Sequence, residues 1–239
     1  WVASAWQADT VFGHLCWGMR HLYGEDHLSK FLAEYLSGRP PLLISNGFPG
    51  DNLPLPLLPP RPVDRQADLK KQESDYDEQK EIKKINYISL ADFNRILNGA
   101  FPAKQMQRPQ LITRRVTLKN QLNRHTFTTD EQHPLFNFPE YYTPVITLYL
   151  KIEDSFVEEA RQLFRYLAVS GYGKRKSAGY GQIRLQEFAP FTGIQYPAAP
   201  NGFVSLSNFV PAPGDPLEGC WQTLVKYGKM GEEYSIEDN

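Results

Sequence analysis

The sequence predicts an α+β domain of ferredoxin-like plan with insertions, followed by an incomplete second β-rich unit. Three observations carry this expectation. Apolar residues recur at helical spacing near 11–36 and again near 156–167. Short runs of high β-propensity lie between and after those helices. The resulting order of helix, strand, insertion, strand, strand, helix and strand becomes β-α-β-β-α-β if one more strand precedes Trp1. The first unit is read as 1–190, with an insertion near 50–88 and a hairpin near 119–142, and residues 201–239 as the start of the second.

Each element follows from local chemistry. Asp9-Thr10 can cap a helix whose apolar positions are Val11, Phe12, Leu15, Cys16, Met19 and Leu22, with Gly24 as its end. Leu28, Phe31, Leu32, Tyr35 and Leu36 mark a second helix stopped by Gly38. Leu42-Leu43-Ile44, bounded by Pro41 and Asn46-Gly47, reads as a strand. The proline-rich stretch 50–62 reads as an extended loop, and the mixed charges of 64–84 as a solvated helix or a mobile insertion. Ser89 caps a short helix carrying Leu90, Phe93, Ile96 and Leu97 and closed by Asn98-Gly99. Residues 111–118 alternate as a strand and 143–152 form another, joined by a polar and aromatic hairpin or loop at 119–142. Phe156, Val157, Ala160, Leu163, Phe164 and Leu167 define the last long helix. Residues 181–188, 203–210 and 221–227 read as further strands, with a linker at 190–200.

Composition narrows the function classes. The 239 residues are 41% hydrophobic, enough for a substantial core, and carry a net charge of −1. A free-standing nucleic-acid binder is usually more basic, so an RNA role here needs a local cationic patch and partners that complete the site. Cys16 and Cys220 have neither zinc nor redox spacing, which points to a reducing, cytoplasmic setting. No run has the apolar length of a membrane span, and no secretory signal is visible.

The segment most suited to chemistry is residues 170–183, with four glycines, three consecutive cations and two tyrosines between a helix and a short strand. Glycine lets a backbone approach a ligand and turn N–H groups toward it, cations neutralise phosphates, and tyrosine rings stack on bases. Gly171, Tyr172, Gly173, Lys174, Arg175, Lys176, Ser177, Gly179, Tyr180 and Gly181 are therefore the first candidate RNA contacts. The plainer reading is a tight connection whose cations face water. The loop follows a helix, so it is neither a nucleotide P-loop nor a dinucleotide fingerprint.

A second patch comprises Arg114, Arg115, Lys119, Asn120, Asn123, Arg124 and His125, which suits sugar and phosphate contacts or equally guards an exposed strand edge. The start of the first helix, residues 9–14, reads as a cap or as a phosphate seat. A metal-independent nuclease would need a histidine acid or base, for which His14, His21 and His125 are the candidates. No acidic cluster has metal-ligand spacing, and no Gly-x-Ser-x-Gly nucleophile motif occurs. We expect no catalytic residue, no metal and no cofactor.

The loop Gly-Tyr-Gly-Lys-Arg-Lys-Ser-Ala-Gly-Tyr-Gly at 171–181 resembles the glycine-rich loop of the RAMP superfamily of CRISPR proteins. Residues 8–17, 114–124 and 224–234 resemble the first helix, central hairpin and C-terminal region of the type III-A (Csm) subunit that grips the CRISPR RNA 5′ handle. The resemblance spans most of the chain. It implies a ferredoxin-like (RRM-like) RAMP domain and a non-catalytic role. The implied partners are the crRNA 5′ handle, the large polymerase-like signalling subunit and the adjacent backbone RAMP subunit, with target RNA only indirectly. It also implies that residues 171–181 line the tag, that Arg114, Arg115, Lys119 and Arg124 add contacts, and that Phe127 or Phe136 on a thumb-like hairpin wedges between nucleotides. Trp6, Trp17, Phe48 and the prolines of 54–60 would be docking surface or ordinary packing. A repeat-processing endoribonuclease and a scaffold that touches only protein remain the alternatives.

Overall fold

A computed structural model of the chain describes residues 2, 5–59, 68–106, 108, 112–120, 126, 128–129, 135–173 and 175–226. Helix α1 (Ala8–Tyr23) buries Val11, Leu15, Gly18 and Met19, one stripe at helical spacing. Its start differs from the expected Asp9-Thr10 cap. Gln7 is the N-cap without a side-chain bond, and the orphan amide of Ala8 donates instead to Asn46 Oδ1 at 2.8 Å. A residue 38 positions away thus caps the first amide, while Asp9 Oδ1 accepts the Thr10 N–H at 2.8 Å within the first turn. Gly24, with φ of 90°, closes α1 and opens α2 (Glu25–Leu36).

Three short strands follow: β1 (Leu42–Ile44), β2 (Phe48–Pro49) and β3 (Asn52–Pro54). The proline-rich stretch is therefore partly a strand, because β3 finds an antiparallel partner in β4 (Tyr87–Ser89). Between them α3 (Leu69–Ile82) buries no residue, as its mixed charge requires. Helix α4 (Leu90–Leu97) begins where Ser89 accepts the Asp92 N–H at 3.1 Å. Ser89→Ala should lower the unfolding free energy by about 1 kcal/mol, read from a urea titration.

Strands β5 (Thr113–Lys119) and β6 (Phe136–Tyr142) form an antiparallel hairpin in continuous register from Thr113↔Tyr142 to Lys119↔Phe136. The single strand expected over 143–152 is two strands. Strand β7 (Ile146–Thr147) pairs with β2, and β8 (Leu150–Ile152) pairs with β1. At the switch, the Ser45 hydroxyl accepts the Tyr149 N–H at 2.9 Å, so a side chain stands where a ladder carbonyl would be. Helix α5 (Val157–Ser170) is the last α-helix among the described residues.

Two cores result. Helices α1, α2 and α5 pack with Leu42 around Leu15, Met19, Phe31, Leu163 and Leu167. Phe48, Leu53, Ile88, Phe93, Ile96 and Met106 form the second. The segments expected as strands after α5 join no sheet among the described residues. In 181–188, Ile183, Leu185 and Phe188 pack on the first core while Gln182, Arg184 and Gln186 face out. Alternation reports a half-buried segment, whereas a ladder also needs a neighbouring strand, which sequence period does not reveal. Residues 203–210 act as a strap: Leu206 accepts the Asn46 N–H at 2.8 Å and packs with Val204 on the second core. Among the described residues no helix is long and apolar enough to cross a membrane.

Candidate nucleic-acid interface

The glycine-rich loop is anchored at its neck rather than freely hinged. Tyr172 is 0% exposed and belongs to the first core. Its ring stacks on Trp6 with centroids 3.8 Å apart and planes 4° apart, and its hydroxyl donates to the Ala5 carbonyl at 2.5 Å. Its N–H donates to the Gly181 carbonyl at 2.8 Å, closing the loop. A Cβ on Gly181 would lie 1.9 Å from the Tyr172 carbonyl oxygen, so only glycine fits there. This corrects the expectation that Tyr172 offers a stacking face: Trp6 covers it.

The loop amides are also less available than expected. Gly171 donates to Leu167 O, Gly173 to His14 Nε2, and Ala178, Gly179 and Tyr180 to carbonyls of Arg175 and Lys176. The apex is a 3₁₀ turn at Lys176–Ala178, entered by Arg175 at φ 68°. A left-handed non-glycine backbone costs roughly 1–2 kcal/mol, so the surroundings must hold Arg175 in place. Arg175 and Lys176 are exposed.

The hairpin supplies that support through Glu140. The register sets Glu140 opposite Arg115. Its Oε2 accepts from Arg115 Nε at 2.8 Å and Nη2 at 2.5 Å, and its Oε1 accepts from the Tyr180 hydroxyl and lies 3.8 Å from Lys119 Nζ. Lys119 also donates to the Tyr180 hydroxyl at 2.5 Å and sits over the Phe138 and Tyr180 rings at 4.3 and 4.4 Å. The Arg175 guanidinium lies 5.7 Å from the Phe138 centroid. Glu140 is fully covered but shallow: its cover includes an arginine whose side chain is 54% exposed. The Tyr180 hydroxyl, opposed by burial and aided by Arg115, holds its carboxyl at about 2.

Arg115, Lys119, Arg175 and Tyr180 therefore converge in one clasp. Arg114 lies on the other hairpin face with exposed Val116 and Leu118. Lys174, Asn123 and Arg124 fall outside the described residues, as do the Ser177 side chain, His125 and Phe127. Phe136 is exposed at the start of β6. Trp6 and Phe48, read as docking surface or packing, are packing, while Trp17 is half-buried beneath the Arg20 guanidinium. At the start of α1, the Ala8 and Thr10 amides that a phosphate would meet already donate to Asn46 Oδ1 and Asp9 Oδ1, and Lys226 bridges the Asp9 carboxylate and Thr10 Oγ1.

Sequence reasoning missed Glu140. Its signal was a lone carboxylate in the aromatic run Phe-Asn-Phe-Pro-Glu-Tyr-Tyr, but its partner is fixed only by strand register. His14, a nuclease candidate, accepts the Gly173 N–H at 2.9 Å through Nε2. Burial, with Lys176 nearby, lowers its pKa to about 4, so it is neutral at pH 7 and its acceptor is engaged. Among the described residues no cluster of histidine, cysteine and carboxylate side chains could hold a metal ion. What the arrangement can do is hold exposed cations beside a rigid aromatic clasp.

No family model and no curated protein sequence matches the chain. Solved structures share its fold, among them two chains of Csm1–Csm4 cassettes. A chain of a Csm1–Csm4 cassette in complex with cA4 aligns at TM-score 0.53 and 17% identity, over 70% of this chain and 61% of that one. A chain of a Csm1–Csm4 cassette in complex with AMPPNP aligns at 0.51 and 15%, over 70% and 62%. The chain thus spans about three fifths of the length of the chains it matches.

Proposed function

We propose that this chain is a non-catalytic, RNA-positioning subunit of a type III-A CRISPR (Csm) effector complex. It grips the 5′ handle of the crRNA and docks the large signalling subunit onto the adjacent backbone subunits, in the cytoplasm. The order α1, β1, β8, α5 fits a ferredoxin-like RAMP domain, and the shared fold with cassette chains supports that assignment. One observation carries the functional reading: the Glu140 clasp joins the glycine-rich loop to the hairpin, so two cationic segments distant in sequence form one surface. Arg175 and Lys176 at the loop apex take phosphates, while Arg114, on the opposite hairpin face, lies apart from that surface. Arg115 and Lys119 hold the clasp, their charges offset by Glu140. The engaged Nε2 of His14 supports the non-catalytic reading.

Salt titration of single-stranded handle RNA tests this. The slope of log K against log salt should fall by about 0.7 for each phosphate that is no longer neutralised. Arg175→Ala with Lys176→Ala should lower it by about 1.4, while Arg115→Ala should leave it nearly unchanged. Purifying the tagged chain from its native host and sequencing the bound RNA gives the second check. Absence of CRISPR-derived 5′ tags overturns the proposal.

A further inference from the structure

We propose that His14 is a positioning residue: its Nε2 accepts the Gly173 N–H and holds the glycine-rich loop in the shape that presents Arg175 and Lys176 to an RNA backbone. This rests on the RNA-binding reading above and assigns a role to a side chain that reading leaves unused. The loop leaves the core at Tyr172 and returns at Gly181. Tyr180 ties its returning limb to the hairpin through Glu140. On its outgoing limb, the first amide beyond the core is that of Gly173, and α1 meets it with His14 at 2.9 Å. The imidazole also lies 5.4 Å from the Tyr172 ring, so the same side chain packs on the neck it anchors.

Helix α1 is a stiff support, because its buried stripe is locked into the first core. An acceptor displayed from it fixes where the chain starts toward Arg175. That residue sits in a left-handed conformation, which tolerates little drift on either side. The role requires neutral imidazole, since the protonated ring has no acceptor. Lys176 of the loop is the charge that faces it, and the Tyr172 phenol is the other titratable group against its ring. On its own helix Asp9 is bridged to Lys226.

The test measures two quantities in wild type, His14→Ala and His14→Gln. One is exchange of the Gly173 amide by NMR, and the other is affinity for a fluorescent single-stranded RNA carrying the handle sequence. The glutamine reaches as Nε2 does and accepts without titrating. In His14→Ala, Gly173 exchange should rise at least about tenfold and affinity should fall about tenfold. Glutamine should restore both. Between pH about 6.5 and 4.5, where Glu140 keeps its charge, wild-type affinity should decline as the anchor weakens toward its loss near pH 4, while His14→Gln stays flat. The Asp92 amide, capped by Ser89, reports in every variant that the fold is intact. Unchanged Gly173 exchange in an intact His14→Ala, or unchanged affinity, overturns the assignment. If wild type binds no RNA, the functional reading falls, and the anchor is judged by Gly173 exchange alone.

Discussion

Tyr172→Ala is expected to destabilise the chain by about 3–5 kcal/mol, the range for deleting a fully buried aromatic ring. The ring is completely enclosed and stacked on Trp6, and its hydroxyl satisfies the Ala5 carbonyl. Truncation leaves a cavity at the junction of α1 and α5 and removes the partner that orders residues 5–7 before α1. Tyr172→Phe keeps the ring and loses only the hydroxyl bond, so it should cost about 1 kcal/mol. Urea unfolding followed by tryptophan fluorescence distinguishes them, since Trp6 reports directly on the stack. Were Tyr172 instead a free platform for bases, alanine would leave the unfolding midpoint in place and weaken only RNA binding. That pattern would remove the neck from the core and with it the account of the loop.

The contrast between Tyr172 and Ser89 shows what the sequence made legible. Ser89, three residues before Asp92, announces its role locally, and the cap forms as read. The helical stripes of α1, α4 and α5 are equally local, because side-chain period decides which face is buried, but Leu22 of α1 and Leu32 and Leu36 of α2, expected inward, are exposed, since period does not tell where the covering elements end. Tyr172 sits among glycines beside three cations, a context that reads as exposed. Its burial depends on where Trp6 arrives, which is a tertiary fact. The same holds for Asn46, which ends β1 in sequence but caps α1 in space. The expected strand over 143–152 breaks at Leu148-Tyr149 because its two ends meet different partners. Of the candidate site, the cations of the loop and hairpin were legible as charges. Which of them hold structure and which face solvent was not, since that depends on Glu140 and on the hairpin register that places it.

Glu140→Gln is expected to unfasten the loop from the hairpin while leaving both cores folded. The native carboxylate accepts from Arg115 and Tyr180 and faces Lys119, and a neutral amide cannot match two cations with one charge. The pH dependence follows with a definite sign. The folded carboxyl titrates near 2, below its ordinary value of 4.5, so the clasp's contribution is complete above about 4.5. It weakens as pH falls below that value and is gone once pH passes through about 2. Amide exchange at Tyr180 should therefore accelerate in wild type over that acid window, whereas Glu140→Gln should exchange fast throughout. RNA affinity at neutral pH provides the independent readout. Lys119, no longer offset by the carboxylate, raises the salt slope toward that of one more neutralised phosphate, an increase of about 0.7, even as disordering of the loop weakens binding. A steeper slope with weaker affinity is a combination that simple charge addition cannot produce, because added cations alone strengthen binding at low salt. An unchanged slope with unchanged Tyr180 exchange would show that Glu140 holds nothing together, and the hairpin and loop would then be two independent surfaces.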